Sequence, residues 1–273
     1  MKKILSTSLI AALILLSSQF AFALFPVKEY KVLPSKFAMK YTEVKIPTND
    51  KEATLNAWLF EAKNPTFNWV VISHSGDGNM ADNLERVNSF MSAGFNVIIY
   101  DYRGYGASSD FEIDKDTYIY PQFINDLQSV IDYIKGEKKL NRIDLYGIGV
   151  GAGLSIGVGA NRPETKNIIA DAPWISLQVM EKKMREATGK TPTMPFAFEK
   201  TFEPQFAFDK ATPHLKGVMA IVAPKDPVIS PADLKLIKGI TEVYVVKGSP
   251  GNNENFSTDK NLYFQKVVAF LSK

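Results

Sequence analysis

The chain has 273 residues, 45% of them hydrophobic and 22% charged, which is enough apolar sequence for one large core. Its 32 basic and 29 acidic side chains leave a net charge of +3, a balance that does not point to nucleic acid or an anionic membrane as a partner. With no cysteine and two histidines, disulfides and lipidated cysteine are excluded, a zinc site is disfavoured, and no metal or cofactor is expected.

Residues 1–23 read as a leader. Lys2 and Lys3 open it, residues 4–16 form an apolar run too short for a convincing membrane span, and Ala21-Phe22-Ala23 has the small-x-small form of a cleavage site. The expectation is an exported protein, periplasmic or extracellular, with no integral membrane segment in its mature form. Its expected partner is a small-molecule ligand or an envelope protein. Residues 24–273 are expected to make one domain.

A mixed lead-in over 24–40 precedes two strands, 41–47 and 53–62, separated by the turn residues 49–52 and read as a hairpin. Short apolar runs at 69–73, 97–100, 142–146, 167–170, 218–222 and 243–246 read as buried strands. Helical spacing marks 81–93, ending at Gly94, together with 123–134, 150–160, 233–237 and 261–271. Strand–helix alternation with short loops predicts an α/β fold: a mostly parallel central sheet, helices on both faces and an antiparallel hairpin at its start. Residues 175–213 break the rhythm and are rich in Met and Phe, as an insert or lid before the late strands would be. An ordinary packing excursion fits the same composition.

The most informative stretch is 145–153. Gly147-x-Gly149-x-Gly151 has the layout of a nucleophile elbow, G-x-S-x-G, with glycine where the attacking serine should stand. Two loops precede it, Val71-Ile72-Ser73-His74-Ser75-Gly76-Asp77-Gly78-Asn79 and Tyr100-Asp101-Tyr102-Arg103-Gly104-Tyr105-Gly106-Ala107-Ser108. In order and spacing the three segments make the chain from about residue 41 onward resemble the α/β-hydrolases. It is most similar to the esterase- and peptidase-like members whose oxyanion loop reads His-Gly-Asn-Ala-Gly-Asn.

The resemblance implies a site in which serine, acid and histidine follow in chain order. Gly149 matches the nucleophile. Asp226, in Ala223-Pro224-Lys225-Asp226-Pro227-Val228-Ile229, matches the acid, although a turn or capping aspartate reads the same way. Gly251 matches the histidine. His74 takes a structural place in the oxyanion loop, and His214 precedes a strand where the family has no catalytic group. The oxyanion donors would be the N–H groups of Val150 and Gly76. Ser75 and Asp77 lie beside them, Asp77 either facing solvent or capping a helix, or else turned inward toward a basic or metal-bearing ligand.

Two rival readings use the same residues. Gly153-Leu154-Ser155-Ile156-Gly157 is a literal G-x-S-x-G, but it would need a glycine-rich strand before it. Gly147-x-Gly149-x-x-Ala152 with Asp171 fits a loose dinucleotide fingerprint, which usually opens a fold rather than following two hydrolase-like loops. Three functions compete. The first is a non-catalytic pseudohydrolase that binds a small molecule or partner. The second is an active esterase or peptidase whose nucleophile is displaced to Ser75, Ser155 or Ser249, or in which Asp77 and Asp226 act on water. The third is a structural envelope protein.

Overall fold

The computed structural model describes residues 24–226, 229–251 and 253–273; the expected leader, and Pro227 and Val228 of the acid loop, lie outside them. Eight strands form one sheet: β1 Thr42–Pro47, β2 Thr54–Phe60, β3 Trp69–Ser73, β4 Asn96–Tyr100, β5 Ile143–Ile148, β6 Thr165–Asp171, β7 Gly217–Val222 and β8 Glu242–Val245. Their order is β8-β7-β6-β5-β3-β4-β2-β1. All neighbours run parallel except β2, which is antiparallel to both β1 and β4, so the expected hairpin forms and joins the sheet.

Alternation along each strand divides the core in two. In β3, Val71 faces one layer, while Val70 and Ile72 face the other. The first layer is covered by α2 (Gln122–Lys138), α3 (Val150–Gly159) and α4 (Leu177–Thr188), which contribute Phe123, Leu127, Leu154 and Met180. The second is covered by α1 (Leu84–Ser92) and, after the short α5 (Asn255–Thr258), by α6 (Lys260–Leu271), with Val87, Phe90, Tyr263 and Val267. Helices on both faces of a largely parallel sheet are what the strand–helix alternation predicts.

Two elements differ from expectation. Residues 233–237, read as a helix, form only a single 3-10 turn, Asp233–Leu236, with Ala232 offering no side-chain cap at its start. The segment 175–213 contains the unanticipated α4. The Ser176 hydroxyl caps its start by accepting from the Val179 N–H at 3.4 Å, Gly189 closes it in the left-handed conformation, and Met180 and Met184 bury one face. Later in the segment Phe198, Phe202 and Phe208 pack against the core, while Phe196 stands free in solvent.

The lead-in is an ordered strap. Phe25–Pro26 pairs in parallel with Asp77–Gly78. The Val27 carbonyl accepts from Gly106 N–H at 3.1 Å, and the Asn79 amide donates to the Val27 and Glu29 carbonyls. The Tyr30 hydroxyl donates to Asp101. The strap thus ties together the loops that follow β3 and β4. Among the described residues, no helix is long and apolar enough to cross a membrane.

Candidate functional site

The site lies at the carboxyl ends of β3 and β5, where open α/β sheets form their ligand crevice. β5 ends at Ile148 and α3 starts at Val150, with Gly149 between them at φ 53°, ψ −115°. That backbone conformation strongly favours glycine. The Gly149 N–H donates to the Asp171 carbonyl at 2.8 Å, and its own carbonyl accepts from Ala152 and Gly153.

The flanking glycines are there for a different reason. A Cβ on Gly147 would overlap the Gly151 carbonyl, and one on Gly151 would stand 2.6 Å from the His74 carbonyl oxygen. Strand and helix therefore meet backbone against backbone. At Gly149 the space is more open: the nearest atoms to a Cβ would be Asn253 Oδ1 at 3.0 Å and Ser75 Cβ at 3.4 Å. The apex faces the Asn253 amide and the Ser75 side chain, whose hydroxyl accepts from the Asp77 N–H at 3.4 Å.

Ser155 is on α3, fully buried, and its hydroxyl has no hydrogen-bond partner among the described residues. Gly153 lies against the Trp174 indole and Gly157 against the Phe202 backbone, so in this register both glycines serve helix packing. Ser249 is buried, its hydroxyl accepting from the Gly251 N–H at 3.2 Å. Ser75 alone of the three serines borders the apex.

Asp226 follows β7, its Oδ1 accepting from the Ile229 N–H at 2.9 Å. Gly251, at φ 88°, packs directly on it; a Cβ there would lie 3.0 Å from Asp226 Cγ and 3.1 Å from its Cα. A histidine at 251 has no room for its side chain in this conformation. Asn253, two residues on, is the residue that reaches the apex.

His74 is sealed in the core. Its Nδ1 accepts from the Gly76 N–H at 3.2 Å, its Nε2 lies 4.0 Å from Asp101 Oδ1, and its ring packs on Tyr102 and Tyr105. Burial pushes its pKa down to about 3, so at neutral pH it is an uncharged structural group. The Gly76 N–H is thereby engaged inside the loop, and Val150, at the first position of α3, supplies the N–H nearest the apex. Asp77 is exposed. It does not cap the following turn, because Asn79 and Asp82 form that capping box. His214 precedes β7 and Asp226 follows it, so the two lie at opposite ends of the same strand.

Beneath the apex lies a buried polar chain. Asp171, at the end of β6, accepts from Asn255 Nδ2 and the Tyr263 hydroxyl, both at 2.7 Å. Tyr263 meets the Tyr146 hydroxyl at 2.8 Å, and Arg86 Nε donates to Tyr146 at 3.1 Å. Burial pushes the Asp171 carboxyl up, and the nearby Asp226 charge adds to the rise. Arg86 and the two hydrogen bonds oppose it.

The family model described as "Serine aminopeptidase, S33" matches residues 65–202, just over half of the chain and all of the span from β3 through the elbow to α4. The chain belongs to that family. Among curated relatives it is 26% identical over 144 residues to the alpha/beta hydrolase domain-containing protein WAV2 of Arabidopsis thaliana, covering 50% of this chain and 44% of that protein. It is 28% identical over 153 residues to protein bem46 of Schizosaccharomyces pombe, covering 54% and 49%. The chain thus spans about half the length of the curated relatives it matches. Of solved structures, the Pyrococcus furiosus esterase Pf2001 aligns over 91% of this chain and 98% of its own, with a TM-score of 0.68 at 19% identity. The proline iminopeptidase of Mycobacterium smegmatis aligns with a TM-score of 0.62 at 14% identity, over 85% of this chain and 98% of its own. These likenesses establish the α/β-hydrolase fold.

Two residues beside the apex were given no such role by the sequence. Asn253 lies in the stretch Gly248-Ser249-Pro250-Gly251-Asn252-Asn253, where the match to the family fell on Gly251. Asp171 was noted only for the dinucleotide reading.

Proposed function

We propose that this chain is an exported pseudohydrolase, an α/β-hydrolase-fold protein that binds a small molecule or an envelope partner at the elbow without Ser-His-Asp chemistry. One observation carries the reading: Gly149 adopts the apex conformation of a nucleophile elbow with no side chain to attack, and what faces it is the Asn253 amide rather than an imidazole. A hydroxyl needs a base within about 2.6–3.2 Å to become a nucleophile, and both histidines stand elsewhere: His74 neutral in the core, His214 at the amino end of β7, opposite the end that Asp226 follows. The Ser75 hydroxyl, the Asn253 amide and the first turn of α3 instead suit reversible hydrogen bonding to a polar group.

Fluorophosphonate labelling of the mature protein, read by intact mass, tests this reading. The expected result is no adduct. A stoichiometric adduct on Ser75, the serine that borders the apex, would overturn it in favour of an active esterase or peptidase with a displaced nucleophile. Export rests on the composition of residues 1–23, and N-terminal sequencing of the secreted or periplasmic protein is expected to begin at Leu24.

A further inference from the structure

The strap crosses the site with its side chains sorted. Phe25 is 60% exposed, yet Leu24 beside it is 1% exposed and belongs to the same core cluster as Tyr105 and Val150. From the point where a side chain on Gly76 would begin, Leu24 Cδ2 is 2.8 Å away, Tyr105 Oη 3.7 Å and Val150 Cβ 3.8 Å. Leu24 therefore sits between the oxyanion loop and the first residue of α3, in space that exists because residue 76 is glycine. Ser75 adjoins Gly76 in the chain and borders the Gly149 apex, as Asn253 does. The backbone hydrogen bond next to it, Phe25 N–H to the Gly76 carbonyl at 2.8 Å, is the first of the strap's anchors; Val27 N–H to the Gly78 carbonyl at 3.1 Å is the next.

We propose that Leu24 occupies an aliphatic subsite of the elbow, and that the ligand of this protein carries a branched aliphatic group of leucine size beside a polar head, entering by displacing Leu24 from that subsite. The proposal rests on the pseudohydrolase reading and adds its ligand class and its regulation. A group of matching shape recovers the apolar burial that Leu24 gives up, and the head gains the Ser75 hydroxyl and the Asn253 amide. The strap need open only at its first anchor, because the contacts of Val27 and Tyr30 lie beyond it. An intramolecular occupant lowers apparent affinity in proportion to the fraction of molecules in which the subsite is open.

The test compares wild type, Leu24→Ala and Leu24→Met by isothermal titration with 4-methylpentanamide as probe and acetamide as a head-only control. Leu24→Ala is expected to bind 4-methylpentanamide at least tenfold more tightly than wild type, Leu24→Met to behave like wild type, and acetamide not to distinguish the three. Equal affinities for the branched probe, or a gain that acetamide shares, would overturn the proposal. In the wild type, saturating 4-methylpentanamide should speed hydrogen exchange at the Phe25 amide and leave Val27 protected; an unchanged Phe25 rate would refute displacement even if Leu24→Ala folds poorly. The pseudohydrolase reading fails separately, through a fluorophosphonate adduct. A protein that takes no adduct and shows no Leu24 effect loses the subsite alone.

Discussion

Replacing the three elbow glycines by alanine, one at a time, should rank Gly149 as the mildest change although it alone has a positive φ. At Gly149 the cost is conformational, about 1–3 kcal/mol for holding a residue with a Cβ at φ 53°. The steric part is small, because the nearest atom is the end of the Asn253 side chain at 3.0 Å, which can rotate away. Gly151 and Gly147 have ordinary backbone angles, but their added carbons would meet main chain: the His74 carbonyl at 2.6 Å from one, Ala152 Cα at 2.6 Å from the other. Relieving either contact means moving β3 or α3 bodily, which belongs with the exceptional losses above about 4 kcal/mol. In urea, at a slope of about 3 kcal/mol/M, the midpoint should fall by about 0.3–1 M for Gly149→Ala and by more than about 1.3 M for the other two. If Gly149→Ala falls as far as Gly151→Ala, the apex is closed by packing and the elbow argument fails.

Arg103→Ala should cost about 3–5 kcal/mol, because Arg103 is 2% exposed and its guanidinium meets Asp126 through Nε at 2.8 Å and Nη2 at 2.7 Å; its loss leaves the buried carboxylate only the backbone N–H of residue 103. A urea midpoint as high as that of the wild type would refute this. Two buried groups pull pH dependence in opposite directions. His74, pushed down to about 3 by burial, contributes stability that is present above about 6.5 and lost as pH falls toward 3. Asp101, pushed up to about 7 chiefly by burial, contributes stability that is present in acid and lost as pH rises from about 3.8 to 7. Asp126 and Asp144, pushed up to about 6 by burial, act in the same direction as Asp101. Asp101→Asn should therefore make the change in stability from pH 7 to pH 5 about 2 kcal/mol less favourable than in the wild type. Identical pH profiles for the variant and the wild type would count against a raised, buried Asp101 carboxyl.

The sheet was legible because its strands are short continuous runs of Val, Ile and Leu punctuated by glycine. The elbow was legible because three glycines at fixed spacing end such a run. α4 was not, since Met180 and Met184 lie among so many aromatic residues that composition hid an ordinary i, i+4 stripe. At the site, spacing located Gly149 but could not say which residue of the 249–253 loop reaches it. Gly251 is the position the resemblance assigns to a histidine, yet its positive φ turns the chain back onto Asp226, and Asn253 extends to the apex instead. The strap was not legible because it combines backbone hydrogen bonds, which any sequence can make, with Tyr30 and Asn79 contacts whose partners lie 50 or more residues away in the chain.

The buried chain from Arg86 through Tyr146 and Tyr263 to Asp171 joins α1, β5, α6 and β6, and its Tyr146–Tyr263 link closes a loop of 117 residues. A polypeptide that emerges from its amino end meets a delay there. Until residues 260–271 arrive, Asp171 lacks the Tyr263 donor and the second face of the sheet has only α1 to cover it. Helix α6 is thus a late, long-range closure of the fold as well as a cover for the core.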